Sequence, residues 1–149
     1  MAVKRHGGSG RRAVAERPPN LRRLLLDTHV WLWWQADDRR LGSAARNAIS
    51  AAAEVRFSAA SAWEIAIKVS IGQLRLPRGA DIDAELRRDG FRSLGVDITH
   101  TAALMGLPRL HRDPFDRMLV AQAMVEGLTL ATADDELARY GVPILRAWE

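Results

Sequence analysis

Short apolar segments alternate with longer helical patterns along this chain, and this alternation limits the folds that it can adopt. The segments are too short and too uniformly apolar for half-exposed strands, and they fit strands buried on both faces of a sheet. Strands joined by helices pair in parallel, with helices on both faces. We therefore predict an α/β/α sandwich with a mainly parallel sheet of four to five strands, at residues 24–27, 55–58, 91–96, 128–132 and 142–145.

Capping residues and glycines mark the helices between these strands. The predicted helices cover residues 28–36, 43–53, 60–71, 81–89, 99–107, 113–126 and 134–140. Ser43 and Thr99 are the expected N-caps of their helices, because a hydroxyl there can accept a hydrogen bond from a free backbone N–H. The clearest helix start is Asp113, an N-cap acid followed by Pro114 at the first helical position.

The basic charge of the chain is concentrated at its N-terminus. Seven of the 22 Lys and Arg residues lie within residues 1–23, against Glu16 as the single acid, and the remainder holds 15 basic and 17 acidic residues. Glycine and proline in this segment argue against fixed structure. We expect residues 1–23 to form a basic, disordered leader and residues 24–149 to form the domain. A basic tail can also attract nucleic acid through phosphate contacts.

The composition excludes several classes of protein. The chain has no cysteine, so disulfides and thiolate metal sites are ruled out, and a reducing cytosol suits it. No apolar run reaches the roughly 18 residues that a transmembrane helix needs. The N-terminus also lacks the apolar centre of a secretory signal. We therefore expect a cytoplasmic protein without membrane contact.

Acidic residues stand where the predicted elements meet. Asp27 directly follows the first strand, Glu64 lies in a mostly apolar helix, Asp116 lies in the first turn of another helix, and Asp134 follows the fourth strand. Because the carboxyl ends of parallel strands gather at one edge of a sheet, we expect these side chains to meet there. A carboxylate beside a buried strand is costly unless it is hydrogen-bonded or binds a cation. Hard divalent cations take such oxygen ligands.

Each of these acids also has a purely structural interpretation. Asp27 and Asp134 are placed to cap helices, and Asp116 is placed to favour a helix N-terminus. Glu64 stands four residues before Lys68, the favourable spacing for a helical ion pair. Capping alone explains each Asp more readily than metal binding does. For Glu64, the ion pair with Lys68 and metal binding explain the residue equally well. Their recurrence across several strands favours a shared acidic pocket.

Basic side chains surround the acids near residue 113. His111 stands two residues before Asp113, where it could contact substrate or orient the loop. Arg112 and Arg117 could receive phosphate, because the guanidinium group suits bidentate contacts with oxyanions. They could equally form ion pairs with Asp113 and Asp116. The sequence leaves both interpretations open.

Several blocks of the sequence resemble those of a known family. The blocks are LLDTHVWLWW from residue 25, SAASAWEIAIK from residue 58, LP at residue 107 followed by HRDPFDRMLVAQA from residue 111, and LTLATAD from residue 128. In this order they resemble the PIN-domain ribonuclease toxins (VapC-like) of bacterial toxin–antitoxin modules. The DPFDR segment with the following LVAQA is specific, and the basic leader has no counterpart.

The resemblance implies a fold, an activity and a set of functional residues. It implies a PIN domain that cleaves RNA with Mg²⁺ or Mn²⁺, as one or two ions, and a homodimer neutralised by a cognate antitoxin. Carried over by motif, the catalytic and metal-binding acids fall on Asp27, Glu64, Asp116 and Asp134. The supporting residues around them are Asp113, Asp135, Thr132, His111 and Arg117.

Two functions other than RNA cleavage are compatible with a parallel α/β fold. A catalytically inactive PIN fold would serve as a partner-binding module, with the Trp-rich first helix docking a protein segment. The complete set of four acids argues against it. A phospho-acceptor receiver domain is also a parallel α/β fold, but it needs adjacent acids after its first strand, where Asp27 stands alone.

Overall fold

A five-stranded parallel sheet forms the centre of residues 20–149, the part of the chain that the computed structural model describes. Residues 1–19, which hold most of the predicted leader, lie outside this part. The strands are β1 (Arg23–Leu26), β2 (Glu54–Ser58), β3 (Arg92–Leu94), β4 (Thr129–Thr132) and β5 (Ile144–Arg146). Their order is β3-β2-β1-β4-β5, and every neighbouring pair is parallel. The predicted parallel sheet is confirmed.

Helices connect the strands at the predicted places. They are α1 (Thr28–Ala36), α2 (Ser43–Ala51), α3 (Ala59–Ser70), α4 (Ile82–Asp89), α5 (Ile98–Met105) and α6 (Pro114–Glu126). The last predicted helix is a 3₁₀ helix, Asp135–Tyr140. Across residues 20–149, none of the helices combines the length and the apolar character that a bilayer crossing requires.

Apolar side chains cover both faces of the sheet. In β1, Leu24 and Leu26 pack on one face with Trp31 of α1, and Leu25 packs on the other face with Val120 of α6. The three leucines have no exposed surface. Burying each such side chain contributes about 1.5–3 kcal/mol. The uninterrupted apolar run of β1 therefore reflects its central position between two cores.

The order of the strands creates a crevice at the carboxyl edge of the sheet, where β1 and β4 end. The chain adds β2 and β3 on one side of β1 and then returns to add β4 and β5 on the other side. The backbone N–H of Asp27 still donates to the carbonyl of Ala131, at 2.9 Å, so the two strand ends stay side by side. Open α/β sheets bind ligands at such a switch point.

Two of the predicted N-caps are wrong. The N-cap of α2 is Gly42, and the Ser43 side chain does not cap the helix. The N-cap of α5 is Asp97, whose carboxylate accepts from the Thr99 N–H at 2.7 Å. His100 completes this cap, because its Nδ1 accepts from the Asp97 N–H at 3.0 Å. The observed caps therefore lie one residue before Ser43 and two residues before Thr99.

The backbone at the end of the chain packs against the start of α2. The Gly42 N–H donates to the carbonyl of Ala147 at 2.7 Å, and the Ala45 N–H donates to the carbonyl of Glu149 at 2.9 Å. A Cβ atom on Gly42 would lie 2.1 Å from that Glu149 oxygen. Main-chain carbonyls thus supply the acceptor that a capping side chain would supply elsewhere, and the close approach requires glycine.

We expect Gly42→Ala to lower the free energy of unfolding by about 1–3 kcal/mol, because the new methyl group must displace the C-terminal backbone. Ser43→Ala should change it by less than about 0.5 kcal/mol, because the exposed hydroxyl caps nothing. Urea denaturation of both variants measures the difference. A larger loss for Ser43→Ala than for Gly42→Ala would contradict main-chain capping of α2.

Candidate active site

Asp27 caps α1 and is buried at the crevice. Its Oδ1 accepts a hydrogen bond from the Val30 N–H at 2.8 Å, and the Thr132 side chain is a further hydrogen-bond partner. Only 5 % of the residue is exposed. Burial raises the pKa of Asp27 above its ordinary value, although these hydrogen bonds oppose the change. Asp27 therefore both caps α1 and lies at the carboxyl edge of the sheet, as each of the two interpretations requires.

Glu64 faces the interior from α3 and is held by two partners. Its Oε1 accepts from the Thr28 hydroxyl at 2.6 Å, and its Oε2 lies 3.1 Å from the Lys68 ammonium. The predicted ion pair between positions four residues apart is confirmed, but the Glu64 side chain is only 8 % exposed. Thr28 directly follows Asp27, so its hydroxyl ties Glu64 to the end of β1.

Asp116, in the first turn of α6, is surrounded by other negative charges. The carboxylate of Asp113 caps this helix, accepting from the Asp116 backbone N–H at 3.3 Å. Burial is the largest cause that raises the pKa of Asp116, to about 7, followed by the charge of Asp113. The charges of Asp27 and Glu64 raise it further. All three acids are therefore close enough to act on Asp116.

His111 connects Asp116 to Asp134. Its Nε2 lies 2.8 Å from Oδ2 of Asp134 and 3.8 Å from Oδ2 of Asp116. Its Nδ1 accepts from the Asp113 N–H at 3.1 Å. A neutral imidazole carries one proton, so the proton must be on Nε2, which donates to Asp134. The other oxygen of Asp134 accepts from the Glu136 N–H at 3.0 Å, capping the 3₁₀ helix.

Thr132 lies between the acids of the two central strands. Its hydroxyl oxygen accepts from the Asp134 N–H at 3.0 Å, and its side chain is also hydrogen-bonded to Asp27. The residue is fully buried at the end of β4. Thr132 thus lies beside both Asp27 and Asp134 at the carboxyl edge of the sheet.

Two predicted supporting residues make other contacts. Asp135 forms an exposed ion pair with Arg146, at 2.9 Å. Arg117 donates from Nη2 to the Leu107 carbonyl at 3.2 Å. The structure therefore brings Asp27, Glu64, Asp116, Asp134, Asp113, His111 and Thr132 together, while Asp135 pairs away from them.

One further residue of this group, Thr28, could not be predicted as part of the site from the sequence. The Thr28 hydroxyl donates to the carboxylate of Glu64. That contact depends on how α1 packs against α3, which no local pattern reveals. The one available signal is a hydroxyl residue placed directly after a strand-end acid.

The chemistry of these side chains fits a hard divalent cation. His111, Asp116 and Asp134 each offer one ligand atom, and these atoms lie within 4.8 Å of one another. His111, however, presents a proton at Nε2, so it acts as a hydrogen-bond donor in this arrangement. The oxygen atoms of the acids are the available ligands, and carboxylates suit Mg²⁺ and Mn²⁺.

The negative charge of Asp116 is less well compensated by basic side chains than that of Asp134 or Glu64. Within residues 20–149, the 3.8 Å separation from His111 is the shortest that its carboxylate makes to a His, Lys or Arg side chain. Asp134 and Glu64, in contrast, are held by His111 and Lys68. A cation beside Asp116 would offset both its burial and the repulsion from Asp27.

We expect Lys68→Met to destabilise the metal-free protein by about 1–3 kcal/mol, because Glu64 then keeps a buried charge with only one hydrogen-bond donor. MnCl₂ should raise the melting temperature of this variant more than that of the wild type, since a cation can replace the ammonium group. The control is Arg87→Met, which breaks an exposed pair with Asp83. Equal manganese shifts for all three proteins would place Glu64 beyond the reach of the cation.

The chain is similar in sequence to known proteins of one family. The PIN domain profile matches residues 24–143. Over 121 residues the chain is 31% identical to Ribonuclease VapC22 of Mycobacterium tuberculosis, a match that covers 80% of this chain and 93% of the relative.

Solved structures share the fold. VapBC2 from Rickettsia felis, bound to a DNA fragment from its promoter, has a TM-score of 0.63 at 15% identity, over 83% of this chain and 97% of that chain. A toxin–antitoxin complex from Klebsiella pneumoniae has a TM-score of 0.59 at 16% identity, over 85% of this chain and 98% of that chain. The chain therefore belongs to the PIN domain family, in which its mycobacterial relative is a VapC ribonuclease.

Proposed function

We propose that this chain is a divalent-cation-dependent endoribonuclease and the toxin of a toxin–antitoxin pair. The observation that carries the proposal is the partly buried Asp116 carboxylate, which lies among other acids and whose pKa is raised to about 7 by burial first and then by the charges of its acidic neighbours. The ribonuclease name of the mycobacterial relative supports RNA as the substrate. The proposed catalytic residues are Asp27, Glu64, Asp116 and Asp134.

The proposed cofactor is Mg²⁺, with Mn²⁺ as the alternative, in one or two ions. Asp27 and Asp116 would be direct ligands. Glu64 and Asp134 would hold a second ion or bind through water. When bound, such a cation polarises the phosphodiester and favours ionisation of water.

The protein's own side chains position the reactants for hydrolysis, in which a water oxygen bonds to phosphorus as the ester oxygen leaves. The Nε2 proton of His111 fixes the orientation of Asp134. The Thr28 hydroxyl fixes Glu64 in the same way. The Lys68 side chain is about one-third exposed beside Glu64, so it can contact the incoming RNA backbone.

The proposed protein partners are a cognate antitoxin and a second copy of the chain. The toxin–antitoxin complexes among the solved neighbours support an antitoxin. On α3, Trp63 is 63% exposed, and Ile71, the C-cap of this helix, is 59% exposed. Trp63 also packs edge-on against Phe115, with ring centroids 5.3 Å apart, directly before Asp116. Apolar surface of this kind suits a protein interface close to the acids.

The domain boundary and the compartment belong to the same proposal. The folded domain would begin near β1, which starts at Arg23, one residue before the predicted strand. Residues 1–19 lie outside the described part of the chain. We place the activity in the cytoplasm, where RNA substrate and antitoxin are both present.

Asp116→Asn should reduce RNA cleavage by more than about 100-fold, the upper end for residues that only support a metal ligand. The same change should raise the melting temperature in EDTA, because it removes a partly buried charge from among like charges. Cleavage of total RNA and thermal melts are measured side by side. EDTA should stop the wild-type reaction, and MgCl₂ or MnCl₂ should restore it.

The matched control is Asp83→Asn, an exposed acid on α4 that should leave both cleavage and stability near wild-type values. Cleavage retained by Asp116→Asn, or cleavage insensitive to EDTA, would contradict the assignment. Wild-type protein that binds partners but cleaves no RNA with either cation would favour the second candidate, an inactive partner-binding module, for which the exposed side chains of α3 argue.

A further inference from the structure

A cationic cleft opens beside the acidic cluster. It has a volume of about 440 Å³, and Arg109, Leu110, His111, Arg112 and Arg117 line it. The lining contains three arginines and no acid. The cleft therefore differs in charge from the crevice next to it.

The arginine charges in this cleft are not neutralised by the protein. Within residues 20–149, the ion pairs include none made by Arg109, Arg112 or Arg117. The pairing of Arg112 and Arg117 with Asp113 and Asp116, one of the two interpretations that the sequence left open, is not formed. The guanidinium groups therefore remain available to an oxyanion ligand.

Arg117 is oriented before any ligand arrives. Its Nη2 donates to the Leu107 carbonyl at 3.2 Å, which fixes the plane of the guanidinium group. Its Nε is enclosed and, among residues 20–149, has no hydrogen-bond acceptor. Arg109 and Arg112 are exposed at the mouth of the cleft. A fixed guanidinium group loses little freedom on binding, which favours affinity.

His111 forms the boundary between the cleft and the acids. It lines the cleft, while its Nε2 lies 2.8 Å from Asp134 and 3.8 Å from Asp116. A strand with one phosphate at the acids would therefore have the arginine-lined cleft directly beside it. The acids alone would repel such a strand, and three adjacent positive charges offset this repulsion.

We propose that this cleft binds a backbone phosphate of RNA adjacent to the phosphate that is cleaved. The inference rests on the proposed ribonuclease function. The planar guanidinium group matches phosphate with two parallel hydrogen bonds. The site contacts the RNA backbone and does not distinguish between bases.

Binding of a short fluorescein-labelled single-stranded RNA, measured by anisotropy in EDTA on the uncut Asp116→Asn protein, tests the proposal. Adding Arg112→Ala or Arg117→Ala should each weaken binding about 10-fold, the weight of one charge-assisted contact. Each should also lower the slope of log affinity against log salt by about 0.7, the value for one lost contact to a single strand.

The control is Arg92→Ala, which removes an exposed arginine at the start of β3, at the opposite edge of the sheet. It should leave the affinity and the salt slope unchanged. Arg117→Lys should restore part of the affinity. Because Arg112 is exposed, its variant keeps the test valid even if Arg117→Ala does not fold.

In an otherwise wild-type protein, Arg112→Ala should raise KM for RNA and leave kcat unchanged. RNA affinity that is unchanged in both arginine variants would overturn the cleft as a phosphate site, and wild-type cleavage would then persist. The phosphate site would also be overturned if the arginine variants bound an acidic peptide more weakly than the wild type but bound RNA equally well. Absence of wild-type cleavage with either cation would instead count against the ribonuclease function.

Discussion

Negative charge held at the carboxyl edge of the sheet is the constraint on which the site depends. The end of β1 fixes Asp27, the first turn of α6 fixes Asp116, and burial raises the pKa of both. Two free carboxylates in water would move apart because of their like charges. Backbone hydrogen bonds of the sheet and of the helix start keep Asp27 and Asp116 close to each other. The arrangement costs stability without a cation, as is common where function requires such groups.

The acids differ in how far neighbouring side chains compensate their charges. Lys68 and Thr28 hold Glu64, and His111 holds Asp134. Asp116 has no comparable partner within the described residues, so a bound cation would stabilise this carboxylate the most. Beyond His111 the charge changes sign in the arginine-lined cleft. A polyanion can therefore approach a site that would otherwise repel it.

The sequence predicted the sheet and the gathering of the acids for a physical reason. Parallel strands must end at one edge, so acids that follow β1 and β4 meet wherever the strands pair. Contacts between distant backbone segments were not predictable in the same way. The start of α2 depends on the carbonyl of Glu149, more than 100 residues away along the chain. The proton position on His111 likewise depends on a loop geometry that local patterns do not encode.

The most direct test of a cation held among these acids is crystallographic. Crystals soaked in MnCl₂, with data collected at a wavelength where manganese scatters anomalously, locate the ion without reference to activity. We predict an anomalous peak about 2–2.5 Å from carboxylate oxygens of both Asp27 and Asp116. A peak on other residues alone, or no peak at the crevice at saturating manganese, would contradict the assignment.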